Sequence, residues 1–192
     1  MSMLRNTLTT ALFALGAITA AHAGNAHEPV LRSMETLIQA QSQGFKGLDA
    51  AKIKALRQDF SSKAQTAKGM AKSEYGQLSA GKKPEEIDKQ MLANAKQSGT
   101  PADVMTLVQT MGGPSKMMQQ TDSIVDEFVT DVLSGSQKHA QRPLAETILT
   151  ALVMASPAHA GYLKYKSCMA AVFVLSVGQG TDAAHKLCNR YS

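Results

Sequence analysis

The chain lacks the short motifs that carry chemistry. None of H-E-x-x-H, G-x-S-x-G, G-x-x-x-x-G-K or C-x-x-C-H occurs in its 192 residues. The paired metal-ligand, nucleophile-elbow, phosphate-cradling and haem-attachment patterns are therefore missing. Arginine and aromatics are scarce, with four Arg beyond residue 23 and 5% aromatic residues overall. Nucleic-acid binding draws on basic residues interleaved with aromatics, so no nucleic-acid partner is expected. Strand signals are confined to Val172–Val177, a run with helical neighbours that reads as a helix apolar on every face. It is too short to span a membrane. Cysteine is limited to Cys168 and Cys188. Without a C-x-x-C pair, neither a redox centre nor a metal site is favoured.

What is present begins at the N-terminus. Arg5 is the only charged residue among the first 27, and Leu8–Ala21 is dominated by Ala, Leu, Phe, Ile and Thr. Ala21-His22-Ala23 then puts small residues at −3 and −1 of a cut. This is the layout of a secretory signal peptide over residues 1–23, cleaved between Ala23 and Gly24. The expected location is the periplasm or the medium. The expected product, residues 24–192, is a single helical domain and not a stable membrane protein. A second AHAG, at 158–161, follows the apolar stretch 147–155. Glu146 cuts that stretch off from Leu144 and Ala145 before it, so it reads as a buried helix ending at Ser156-Pro157 rather than as a second processing site.

In an exported chain two cysteines read as a disulfide. Gly178-Gln179-Gly180 separates them. Cys168 lies 11 residues before Gln179 and Cys188 lies 9 after it. On helices, each would stand about 13–17 Å from the turn. The two sulfurs would then be level across a C-terminal helical hairpin, residues 161–192.

Apolar spacing is helical almost throughout, predicting an all-α, compact bundle of about six to eight amphipathic helices. Val30, Leu31, Met34, Leu37 and Ile38 share one face behind Pro29. Asp49 caps a longer helix carrying Ile53, Leu56, Phe60, Ala64, Ala67 and Met70 or Ala71, which Gly76 and Gly81 end. Residues 61–83 are polar and read as a mobile stretch. Pro84 opens a helix with Ile87, Met91 and Ala95. Thr100-Pro101-Ala102-Asp103 resembles a capping box. Gly112-Gly113-Pro114 is a break, after which one helix runs from Ser115 past Val132. Residues 134–141 read as a loop, and 143–156 as a further helix. Thr181 caps the last one.

The net charge is +5, or +4 without Arg5. Residues 101–135 carry five acids and one lysine, between two basic segments. Intramolecular complementarity is the first reading of that pattern. Among the histidines beyond residue 23, only His185 has a potential partner three or four residues away, Asp182, and the two read as an exposed ion pair. Nine Met remain beyond residue 23, with Met111 and Met117 at core positions. They read as pliable core filler, against the alternative of a soft copper site.

These features lead to an exported protein, not an enzyme by any motif it carries, that acts by binding. It would be an adaptor or accessory component of a cell-envelope assembly, secretion or transfer machinery included, with a protein partner and no cofactor. The expected contact face is basic: Lys52, Arg57, Lys63, Lys68 and Lys72. The alternatives are a small peptidoglycan hydrolase with a single catalytic Glu, and a soft-metal binder.

Overall fold

The computed structural model describes residues 27–134, 160–179 and 181–192. Among these residues the protein is all-helical, with no strand. The helices are α1 (Glu28–Ser42), α2 (Ala50–Ser79), α3 (Pro84–Gln97), α4 (Ala102–Thr110), α5 (Pro114–Gln119), α6 (Thr121–Ser134), α7 (Ala160–Leu175) and α8 (Thr181–Tyr191). The signal-peptide reading of 1–23 with its Ala23–Gly24 cut, the loop at 135–141, the helix at 143–156 and the first half of the second AHAG lie outside the described residues. Ala160 and Gly161, the rest of that string, open α7.

Pro29 stands in the first turn of α1, where the N–H it lacks would have no partner. Val30, Leu31, Met34 and Leu37 are buried at the predicted spacing. The helix ends in a left-handed reversal at Gly44 (φ 61°) and Phe45 (φ 55°). There the Phe45 N–H donates to the Ala40 carbonyl at 2.8 Å.

Asp49 caps α2 by accepting the Lys52 N–H at 2.8 Å. This helix is 30 residues long but buries only Phe60, Ala64, Ala67 and Ala71, a narrow stripe whose small side chains let α6 and α7 approach closely. Two expectations are corrected here. Gly76 does not end the helix, and most of 61–83 is ordered helix reaching Ser79. A glycine in an exposed helix interior costs only about 1 kcal/mol. Tyr75 and Leu78, on either side of it, pack against the core and hold the helix together.

α3 buries Ile87, Met91 and Ala95 as its pattern requires. Its Asp88 carboxylate accepts the Ser115 N–H at 2.6 Å, satisfying a free amide at the start of α5. The expected cap of α4 is also corrected. Thr100 does not cap it, because its hydroxyl bonds that of Thr181 at the start of α8. Pro101 takes the N-cap position without a side-chain bond, and Asp103 puts its carboxylate in the first turn, where the helix dipole favours it. The single helix expected from Ser115 is two. Gln120 leaves the helical conformation (φ −96°, ψ 10°). Thr121, almost fully buried, must find its hydroxyl an acceptor, and donates to the Met118 carbonyl at 2.7 Å.

α7 is the centre of the bundle. It packs against α2, α4, α6 and α8, and every residue from Cys168 through Val177 is buried. This is the predicted all-round apolar helix. Its polypeptide reverses at Val177 (φ 51°) and Gly178 (φ 79°). A Cβ on Gly178 would stand 3.4 Å from both the Met91 carbonyl oxygen and the Phe173 ring, so the left-handed φ, more than the space, favours glycine there. α8 returns alongside α7, and the expected disulfide joins them. Cys168 and Cys188 are bonded with Cα atoms 5.6 Å apart. Met34, Met91, Met117 and Met169 are fully buried core residues. Met111 is half-buried against them. Among the described residues no helix is long and apolar enough to cross a membrane.

Candidate functional site

The basic residues singled out in the sequence all lie on α2, but the structure divides them. Toward its C-terminal half, α2 is laid against the acidic helix α6. Lys68 reaches Asp126 at 2.8 Å and Asp122 at 3.5 Å, and Lys72 reaches Asp122 at 2.6 Å. Gln65 adds a bond to Asp126 at 2.9 Å. Beneath them the Phe60 and Phe128 rings meet edge to face, centroids 5.8 Å apart. The bonds from Lys68 and Gln65 hold the Asp126 carboxyl below the ordinary carboxylate range. Lys72, then Lys68, do the same for Asp122. Burial pushes the Lys68 ammonium down, but the two carboxylates outweigh it and hold the group above its usual value. The charge complementarity read from the sequence is therefore made within the chain at Lys68 and Lys72.

Lys63 pairs with Asp59 at 2.8 Å on the same helix, and Asp59 also accepts the Ser33 hydroxyl of α1. Lys52 sits 3.3 Å from its own cap, Asp49. Arg57 extends over the Phe45 ring, 5.7 Å from its centroid. Around Arg57 the seam between α2 and α6 opens. Half-buried Ile53 and Leu133 floor a groove of about 510 Å³, lined also by the exposed Ala50, Lys54, Arg57 and Gln58. The groove combines an apolar floor with a cationic edge and could seat a segment presenting apolar and anionic groups together.

A second constellation escaped the sequence reading. The Tyr165 hydroxyl lies 2.9 Å from His185 Nδ1 and also faces the Asp103 carboxylate. Lys166 Nζ donates to the Asp103 carbonyl at 3.0 Å and stands 3.7 Å from its carboxylate. The Lys166 side chain is only 4% exposed, with its ammonium over the rings of Tyr162 and Tyr165. Burial and then the adjacent Asp103 push the Tyr165 hydroxyl well above the usual phenol range. Burial also pushes Asp103 up, but the Tyr165 hydroxyl, the Lys166 charge and two backbone N–H groups together hold it down. The Tyr165 hydroxyl thus stands between an acceptor carboxylate and an imidazole nitrogen, and the direction of its bond to His185 follows the ring's tautomer. This chain of bonds ties α4 to both arms of the disulfide hairpin. One signal was available: Tyr165 and His185 each stand three residues before a bonded cysteine, and therefore one turn along the same helix face. The Asp182 side chain, the expected partner of His185, lies outside the described residues.

Glu74, at the end of the buried stripe of α2, is pushed above the usual carboxyl range by burial. Its Oε2 is buried without a hydrogen-bond partner among the described residues.

No protein-family model matches this chain, and no curated protein or solved structure matches it either.

Proposed function

We propose that the protein is exported and works by contact, as an adaptor or accessory part of a cell-envelope assembly, with the first turns of α2 as its contact face. The open groove beside Ile53 and Leu133, edged by Lys54 and Arg57, carries this reading. A buried disulfide supports the compartment, because such bonds persist where the surroundings are oxidising. Arg57 is already held extended over Phe45, so less side-chain freedom is lost when it meets a carboxylate. A photo-reactive residue at Gln58, which lines the groove, tests the reading. Irradiated in the producing cell, it should trap a discrete partner in the envelope fraction, and the product should vanish when Ile53→Asp is added. Uncross-linked protein alone, or a product indifferent to Ile53→Asp, removes the groove as the contact site.

A further inference from the structure

We infer that the partner segment is an acidic amphipathic helix, lying along the first turns of α2 as α6 lies along the later ones. The inference rests on the groove being the contact face and adds the chemistry of what enters it. The later part of the seam shows the fit within this chain. Lys68 and Lys72, four residues apart, hold Asp122 and Asp126, also four apart, and the Phe60 and Phe128 rings meet on the same pair of helices. The early part offers cations beside an apolar surface, with Leu133 near the end of α6 as one side of the groove. The exposed Lys54 and Arg57 stand one turn apart beside half-buried Ile53 and Leu133. The fitting partner helix has carboxylates one turn apart on its edge and aliphatic side chains on the face between them.

The probe is a synthetic peptide with the sequence of α6, TDSIVDEFVTDVLS, added to the full-length protein. Binding is followed by amide chemical shifts, since a free helix of this length is marginal in water and binds weakly. The expected shifts centre on Ile53, Lys54, Arg57 and Leu133. The Lys54→Glu/Arg57→Glu variant should weaken binding about tenfold, and so should a peptide with its acids changed to Asn and Gln. Equal binding by the neutral peptide overturns the inference, and so does the absence of shifts. Shifts centred on Lys68 and Lys72 overturn it as well, because the peptide would then be replacing α6. A disulfide forming between Ile53→Cys and Leu149→Cys within one monomer would give the groove to this chain itself and overturn it too. If the peptide fails while the Gln58 cross-link is still obtained, the acidic helix is wrong and the contact face stands. If both fail, the groove has no such role.

Discussion

Lys68 of α2 and Asp126 of α6 meet at 2.8 Å across 58 residues of sequence. They fix the register of the two helices, with Lys72 and Asp122 one turn further on. The Lys68 side chain is 14% exposed, but Asp126 is 55% exposed, so solvent screens much of the attraction.

A double-mutant cycle on Lys68→Met and Asp126→Asn is expected to give a coupling of about 0.5 kcal/mol in urea unfolding, smaller in 1 M salt. Asp126 has a lowered folded-state pKa. Its contribution is therefore present above the unfolded value of about 3.9 and is lost as the pH falls through the folded one. Unfolding at pH 7 and pH 3 checks the sign.

The disulfide closes a loop between residues 20 apart, and neither cysteine is exposed. Replacing both by Ala should lower stability by about 3 kcal/mol. Mild reductant should leave the bond intact in the native protein and cleave it in urea. Thiol alkylation followed by mass measurement reads both outcomes.

Glu74 has its folded-state pKa raised by burial. The folded chain then holds the proton more tightly than the unfolded one, so this group's penalty is absent at low pH and complete above the folded pKa. Glu74→Gln should accordingly raise the melting temperature at pH 7 by about 1–2 °C. The gain should vanish below about pH 4. A gain that persisted there would contradict the burial argument.

Around Asp103 the effects should be asymmetric. Asp103→Ala leaves the Lys166 ammonium buried with its carboxylate gone, a change of about 2–3 kcal/mol. Lys166→Met removes the buried charge, keeps the aliphatic stem against Tyr162 and Tyr165, and should be much milder. Nitrogen shifts of His185 should show one tautomer in the wild type, held by the Tyr165 hydroxyl, and a mixture in Tyr165→Phe. An unchanged tautomer would show that this bond does not orient the ring.

Much of the fold was legible because local rules agreed with tertiary packing. Asp49 caps, Pro29 and Pro84 open helices, and the distance of each cysteine from Gly178–Gly180 put both at the same level. The errors share a cause. Thr100, Gln120 and Gly76 obey partners elsewhere in the structure, not their sequence neighbours. Thr100 is claimed by Thr181, the break after Gln120 accompanies a buried Thr121, and Gly76 is carried by the packing of Tyr75 and Leu78. The candidate groove was half legible. Arg57 was singled out for its charge, but Leu133 belongs to a helix more than seventy residues away, and no spacing rule connects the two.

The central position of α7 has a consequence for the order of assembly. Helices α1 to α6 are complete by Ser134, yet the surface onto which α2, α4 and α6 turn their apolar faces begins at Ala160. As the chain emerges from the ribosome, those helices have no finished core to close upon until the last sixth of the sequence follows them out. Their inner faces stay open to water and to chaperones during that interval, and locking of the hairpin by Cys188 is among the final steps.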